Sequence, residues 1–466
     1  MKLVEENKVV TSFEGDIIDK SLILSLGIKD IPRHVTERIF AKILSREQNV
    51  ELAKIKTKKF IDDHRPAGDA SESLKHELLT NSSVVLLDRF EVQVNIKNSE
   101  YKVPIPSMGI SAIISEEIVD YYPALVNGGV WGLSRLGLKG VKNEKFVKVD
   151  NFEPFQVADF NIDEFASRRL NFTTDEWIDL LITSIGYDPN QYPHFTQKLL
   201  LLTRLIPFVQ KNVNLMELGP KATGKTYIYR NLSFYSHVIS GADTSPAQLF
   251  VNLSTGKQGL IPSYDVIAFD EITSSNIEKQ HDTKLIGLLK DYMEGGSASR
   301  GEKQITAATS LVYLGNIKMG KNGRPVSNDY IMDLPKAYHD TALLDRLYGI
   351  IPGWEIPKIG LSSNYFAKEY GIINDYLAES LHAMRSMHSI DISNIEFMGN
   401  TSYRNENAVI KIYEALMKIL FIGNDFSEDY SSKILNFACM LRNNLILQQH
   451  YLEPNEFLNQ PISAKF

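Results

Sequence analysis

The sequence from residue 219 to residue 226 is Gly219-Pro220-Lys221-Ala222-Thr223-Gly224-Lys225-Thr226. This run fits G-x-x-x-x-G-K-[ST], the pattern of a phosphate-binding loop. Its flanks agree, because the apolar stretch 213–218 predicts a strand before the loop and residues 227–232 predict a helix after it. Glycines allow the backbone N–H groups and the start of the following helix to approach phosphate oxygens. The stretch therefore predicts an α/β nucleotide-binding core.

Different residues of this predicted loop are expected to bind the phosphates of ATP and Mg²⁺. Lys225 is expected to reach the β- and γ-phosphates, and Thr226 to hold Mg²⁺ through its hydroxyl. A glycine-rich turn without a ligand is the alternative. The residues expected to surround the nucleotide with backbone are Gly219, Pro220, Ala222, Thr223 and Gly224.

A second part of the same site is predicted where an apolar run, 266–269, ends in Asp270 and Glu271. The run indicates a buried parallel strand whose carboxyl end lies at the crevice where such sheets bind ligands. Asp270 is expected to assist Mg²⁺, and Glu271 to activate the attacking water as a general base. An acidic pair after an apolar run is a weak signal by itself. Here the signal is stronger, because a complete phosphate loop precedes the pair in the chain.

Composition limits the classes of protein that the chain can represent. Its 466 residues, 43% of them hydrophobic, are enough for two to four domains. Fifty Lys and Arg against 57 Asp and Glu give a net charge of −7, so a nucleic-acid surface must be a local patch. No membrane span and no apolar signal core are present, and Cys439 alone permits no internal disulfide. We expect a cytoplasmic protein without a membrane partner.

Periodicity divides the chain into four predicted regions. A helical region, 1–82, carries excess basic charge between residues 33 and 65, and a β-rich region, 83–158, alternates apolar and polar residues. The nucleotide-binding region with its leading helices is expected at 159–350. A helical lid and C-terminal domain is expected at 351–466.

The β-rich region is predicted to form a small barrel or sandwich, with an oligonucleotide-binding barrel as one option. Residues 89–96 and 101–105 indicate a hairpin, and further strands are expected near 129–136 and 145–155. Five basic residues within 134–148 favour a DNA contact there. A domain that only braces a ring, and basic helices that are only solvated, are the alternatives.

Two later segments resemble the first sensor and the arginine finger of AAA+ ATPases. The apolar run 310–315 ends in Asn316, at the place of the first sensor, and the resemblance implies a contact to the γ-phosphate or the attacking water. Arg346, in 341–347, resembles the arginine finger that points at the neighbouring subunit's nucleotide. Arg404 is a candidate second sensor that contacts the nucleotide, just before a helix expected at 407–422.

Two turns resemble elements of minichromosome-maintenance-type helicases. Residues 290–303 are similar to the helix and hairpin before the first sensor, and residues 254–259 to the helix-2 insert. The resemblance implies that Arg300, Lys303 and Lys257 contact DNA phosphates. Polypeptide-pulling pores usually present an aromatic residue instead, so a polypeptide-remodelling ATPase is the alternative.

Most of the chain resembles the BrxL family, the Lon-protease-like AAA+ proteins of bacteriophage-exclusion (BREX) systems. The segments that carry this resemblance are 121–133, 172–181 and 217–220. The family implies a ring-forming ATPase, a hexamer or two hexamers stacked as a dodecamer, that binds duplex DNA in anti-phage defence and can meet other BREX components.

Longer relatives carry a protease-like domain with a Ser/Lys dyad after the ATPase. Here only about 40 residues follow the predicted small α-domain, which is too short for such a domain. We therefore expect ATPase but not peptidase activity. Ser463 and Lys465 are expected to lie in a frayed tail.

Overall fold

The structure is a computed structural model. The residues that it describes are 6–29, 31–66, 70–96, 98–126, 129–141, 144–157, 160–240, 244–254, 256, 258–274, 282–360, 364–388, 390, 392–423 and 428–466. Among them, no helix is both long enough and apolar enough to cross a membrane. The chain forms two compact units, a larger one from residues up to 21 together with 160–466, and a smaller one from residues 22–159.

The α-helices of the described residues are numbered in chain order. They are Glu6–Ser12 (α1), Lys20–Leu26 (α2), Arg33–Glu47 (α3), Val50–His64 (α4), Ser71–Asn81 (α5), Glu116–Tyr121 (α6), Ile162–Arg169 (α7), Thr174–Ser184 (α8), Phe195–Thr203 (α9), Ile206–Val209 (α10), Lys225–Asn231 (α11), Pro246–Leu249 (α12), Asp282–Gly295 (α13), Thr341–Asp345 (α14), Asn374–Met384 (α15), Tyr403–Phe421 (α16) and Glu428–Leu452 (α17).

The strands of the described residues follow the same numbering. They are Ile17–Asp19 (β1), Ser83–Phe90 (β2), Gln93–Asn95 (β3), Glu100–Ile105 (β4), Ile110–Ile114 (β5), Val130–Lys139 (β6), Phe146–Pro154 (β7), Leu215–Gly219 (β8), Ser236–Ser240 (β9), Val266–Asp270 (β10), Ser297–Arg300 (β11), Lys303–Thr306 (β12), Ser310–Asn316 (β13), Gly349–Pro352 (β14), Tyr370–Ile372 (β15), Glu396–Gly399 (β16) and Ile462–Lys465 (β17).

The larger unit is built on a parallel five-stranded sheet in the order β14-β8-β13-β10-β9. β8 and β13 are apolar along most of their length and buried, as expected for strands covered on both faces. The predicted strands before the loop, before Asp270 and before Asn316 all occur, and they lie side by side. Three carboxyl ends therefore meet at one edge of the sheet.

Helix α8 shows how the local sequence begins an element and how packing then holds it. The Thr173 hydroxyl accepts from the backbone of Glu176, whose carboxylate accepts from the backbone of Thr173, forming a capping box. Trp177, fully buried, donates from Nε1 to the Ile419 carbonyl at 2.9 Å. The apolar face of the helix, Trp177, Leu180 and Leu181, is buried in the core.

Two expectations for the C-terminal part need correction. Helix α16 begins at Tyr403, so Arg404 lies in its first turn and not ahead of it; Ser402 caps the helix by accepting from the Asn405 backbone. The expectation of a frayed tail was wrong, because Ser463 and Lys465 lie in β17, which pairs antiparallel with β16. Alternate residues of β17 are buried, as in a strand that packs one face against the protein, so the C-terminal segment is held in place.

The N-terminal region expected to be helical also contains a short strand, β1. β1 pairs antiparallel with β15, more than 350 residues away along the chain. A three-residue strand carries too little periodicity to be recognised. Its existence depends on the distant partner.

The smaller unit contains a six-stranded sheet in the order β2-β6-β7-β5-β4-β3. The predicted hairpin occurs as β3 and β4, but the strand expected at 89–96 is interrupted between Phe90 and Gln93. Apolar side chains such as Val103, Leu136 and Phe152 form its core. The strands expected near 129–136 and 145–155 are confirmed as β6 and β7, whereas the barrel type stays a prediction.

Candidate nucleotide site

The candidate phosphate loop leaves the carboxyl end of β8 and enters α11, which begins at Lys225. Ala222, at φ 67°, and Gly224, at φ 76°, have left-handed backbone. A Cβ atom on Gly224 would lie 2.2 Å from the Tyr187 hydroxyl oxygen. Two features therefore favour glycine at this position: the left-handed backbone and the close Tyr187 hydroxyl.

Lys225 lies buried inside the loop, with 6% of its surface exposed. Its Nζ donates to Asn316 Oδ1 at 2.5 Å and to the Pro220 carbonyl at 3.1 Å. Burial lowers the pKa of Lys225, because removal from water disfavours the charged amine. The structure thus brings together a lysine and an amide that the sequence predicted from segments 91 residues apart.

The two residues predicted to hold Mg²⁺ are also adjacent. Thr226 donates from Oγ1 to Asp270 Oδ1 at 2.9 Å, across the gap between α11 and the end of β10. Arg230, which the sequence analysis did not select, places Nη2 at 3.4 Å from Asp270 Oδ2. It lies one turn after Thr226, so helical spacing alone could have identified it.

Glu271 follows β10 directly and is exposed. Its φ is 55°, and its N–H donates to Asp270 Oδ1 at 3.0 Å. Left-handed backbone costs a residue with a side chain about 1–2 kcal/mol, and such strain concentrates at functional sites. Glu271 thus lies at the carboxyl end of β10, at the same edge of the sheet as the loop.

A second cluster joins Arg346 and Arg404 through one carboxylate, that of Glu294. Arg346 Nη2 lies 2.8 Å from Glu294 Oε2, and Arg404 Nη2 lies 2.7 Å from Glu294 Oε1. Arg404 also pairs with Asp345. The two candidate arginines, predicted separately, are therefore neighbours. The interpretation of Arg404 as a second sensor that contacts the nucleotide stays a prediction.

An open cavity of about 600 Å³ lies beside this arginine cluster. Arg404 and Glu294 form part of its lining, together with Tyr403, whose surface is 82% exposed. The Glu294 and Asp345 hydrogen bonds raise the pKa of Arg404. The Arg404 guanidinium therefore remains charged at the wall of an accessible cavity.

The two turns predicted to contact DNA lie together. Arg300 and Lys303 face each other across the β11–β12 hairpin, and Arg300 donates to the Val251 carbonyl. Val251 forms an isolated bridge with Gln258, at the base of the second turn. The two turns are thus in contact, while Lys257 lies outside the described residues.

Sequence reasoning missed a buried charged pair behind the loop, Arg204 with Glu217. Both residues are fully buried, and two hydrogen bonds join guanidinium and carboxylate. The available signal was a charge inside each of two apolar stretches, since such charges are buried only when paired.

Comparison with known proteins identifies the relatives of both parts of the chain. Residues 147–463 match the family described as "Lon-like protease BrxL-like, ATPase domain". Residues 11–138 match "BREX system Lon protease-like protein BrxL N-terminal". The two matches together cover most of the sequence.

Two curated relatives carry the description "Lon-like protease BrxL". The one from Bacillus cereus (strain H3081.97) is 31% identical over 445 residues, 93% of this chain. The one from Escherichia coli O9:H4 (strain HS) is 30% identical over 456 residues, 96% of this chain. The matched region spans 65% of the length of each relative. By these matches, and by the ATPase-domain match above all, the chain belongs to the BrxL family of Lon-like proteins of BREX systems.

Proposed function

We propose that the chain is an ATPase that converts ATP and water to ADP and phosphate. The observation that carries this proposal is the arrangement at the edge of the parallel sheet, where Lys225 bonds Asn316 and Thr226 bonds Asp270. A lysine for the β- and γ-phosphates, a hydroxyl with a carboxylate for the metal and a polar amide are the parts that such hydrolysis needs. Membership of a family with an ATPase domain supports the same activity.

Magnesium fits the oxygen atoms that this edge offers. Thr226 Oγ1 and Asp270 Oδ1, 2.9 Å apart, are hard ligands of the kind that Mg²⁺ takes, with phosphate and water oxygens completing its shell. Bound there, the ion would neutralise charge on the phosphates. Glu271 would accept the proton of the attacking water.

We further propose that copies of the chain assemble in a ring, a hexamer or two stacked hexamers, in which Arg346 reaches the neighbour's nucleotide. Arg346 and Arg404 share Glu294, and this supports a joint role for the two arginines. Guanidinium groups stabilise charge that develops on the transferred phosphoryl group. A site of this kind is complete only in the assembly.

The proposed partner is duplex DNA, in BREX-type defence against bacteriophage, with other BREX components as further partners. The β11–β12 hairpin offers Arg300 and Lys303, and in a ring such hairpins from several copies could meet one duplex. The net charge of −7 makes concentrated basic patches necessary for binding a polyanion.

The test compares nucleotide binding and phosphate release by the wild-type protein, Lys225→Ala and a matched control, Lys221→Ala. Lys225→Ala should abolish ATP binding, because the buried amine is the proposed phosphate contact. Lys221 lies exposed in the same loop, so its replacement should leave both quantities close to wild type. A normal nucleotide Kd for Lys225→Ala would overturn the proposed site.

A further inference from the structure

Three consecutive carbonyl groups of the phosphate loop each accept a hydrogen bond from a donor outside the loop. The Ala222 carbonyl accepts from the Ile359 N–H at 2.7 Å, and the Thr223 carbonyl from Arg204 Nη2 at 3.1 Å. The Gly224 carbonyl accepts from the Tyr187 hydroxyl at 3.3 Å, in addition to the Tyr227 N–H of the following helix at 3.1 Å. Consecutive peptide units are therefore fastened from segments distant in sequence.

Arg204 is held by a fully buried ion pair with Glu217. Nε and Nη2 contact Glu217 at 3.0 and 2.6 Å, and neither side chain has any exposed surface. Burying such a pair usually gains little over apolar residues of similar size, because desolvation offsets the attraction. The geometry gives the pair a further task, since Nη2 also reaches Thr223 and Nη1 lies 3.4 Å from the Tyr187 hydroxyl.

Tyr187 continues this chain of hydrogen bonds to the last turn of the loop. It is 2% exposed, and burial raises its pKa to about 12, so the hydroxyl keeps its proton and can donate. A side chain at Gly224 would collide with this hydroxyl. The order of contacts is thus Glu217, Arg204, Tyr187 and Gly224.

We propose that Arg204 and Tyr187 are positioning residues that keep the loop carbonyls turned away from the phosphates. A peptide unit has its N–H and carbonyl on opposite sides, so fixing the carbonyl from behind directs the N–H towards an anion. Without Arg204, the Thr223 carbonyl could rotate towards the phosphate oxygens and repel them, and without Tyr187 the Gly224 carbonyl would be held by the Tyr227 N–H alone. This inference rests on the proposed ATP site and assigns to these residues the recognition of its polyphosphate part.

Tyr187→Phe tests the inference with the loss of one oxygen atom. A single net hydrogen bond corresponds to about a 3- to 10-fold change in affinity. Because the Gly224 carbonyl keeps its bond to the Tyr227 N–H, ATP and ADP should bind more weakly by the lower end of that range, about 3-fold, while adenosine binds as to wild type. Tyr192→Phe is the matched control. Tyr192 is fully buried 6.3 Å from Tyr187, ring to ring, and its hydroxyl has no hydrogen-bond partner in the described part of the chain.

A second variant, Arg204→Met with Glu217→Leu, removes the ion pair without leaving a buried charge. We expect about 10- to 100-fold weaker ATP binding, with the melting temperature of the nucleotide-free protein within a few degrees of wild type. If this variant does not fold, Tyr187→Phe decides the matter alone.

The outcomes distinguish this inference from the proposed function. Wild-type affinity for ATP in both variants would show that the pair serves only the fold, and would overturn the inference while leaving the ATP site intact. Equal weakening of ATP and adenosine would overturn it too, because the proposed role concerns only the phosphates. Failure of the wild-type protein to bind ATP would overturn the proposed function, and this inference with it.

Discussion

Glu271 is the residue on which the proposed hydrolysis depends most directly. Its amide counterpart in Glu271→Gln cannot accept a proton from water, yet it keeps the size and the left-handed turn of the position. We expect ATP to bind with near-normal Kd and phosphate release to fall by about 10²–10⁴-fold. Steady-state phosphate release and nucleotide titration measure the two quantities.

The control for this change is Glu302→Gln, which removes an exposed carboxylate away from the loop. It should leave both quantities unaltered. Turnover at the wild-type rate in Glu271→Gln would remove Glu271 from the role of general base.

At the scale of elements, α13 connects the basic hairpin to the arginine cluster. Glu294 lies in the last turn of α13, and the β11–β12 hairpin starts three residues later. The Glu294 carboxylate pairs with both Arg346 and Arg404 of the same subunit. The hairpin and the arginine cluster are therefore joined by three residues of chain and one carboxylate.

Glu294→Gln should release this restraint. An amide holds a guanidinium less strongly than a carboxylate, so Arg346 would be free to reach a neighbouring site more often. Partly exposed ion pairs contribute about 0.2–1 kcal/mol, which corresponds to a rise in basal ATP turnover of about 1.4- to fivefold at most. Phosphate release at saturating ATP measures it, with Glu302→Gln again as control. A fall in turnover would indicate that Glu294 instead positions the arginine for its task.

At the scale of the whole molecule, the proposed assembly makes two inactive variants complement each other. Arg346→Ala subunits keep an intact phosphate loop, and Lys225→Ala subunits keep an intact arginine. Mixing them should restore part of the ATP turnover, because some interfaces combine both. Turnover that stays at background while sedimentation shows mixed oligomers would place Arg346 in its own subunit or in a structural role.

DNA binding is the second property of the assembly that can be tested. Arg300→Glu with Lys303→Glu should weaken duplex binding strongly and leave basal ATP hydrolysis largely intact. Since the proposed contacts go to phosphates, wild-type log K should fall by about 0.9 per log unit of salt for each phosphate neutralised. Filter binding across a salt series measures both effects. A double variant with wild-type affinity and slope would favour the polypeptide-remodelling alternative.

Local sequence was sufficient where a motif or a period carries its own physical reason. The glycine and lysine spacing of the loop, the apolar run before Asp270 and the run before Asn316 predicted three strands that the structure confirms. The capping box of α8 is likewise local, since Thr173 and Glu176 are three residues apart. Their common property is that each depends on neighbours within a few residues.

Only tertiary packing decided which distant residues meet. Parallel strand order placed Asn316 beside Lys225, and helix α13 brought Glu294 to both Arg346 and Arg404. The β1–β15 pair and β17 also needed distant partners, because strands of three or four residues carry almost no periodic signal. Arg204 and Glu217 are the clearest case. The sequence shows a charged residue inside each of two apolar stretches but does not show which residue pairs with it. The fold brings the two together, and the desolvation cost of burying a charge requires that they be paired.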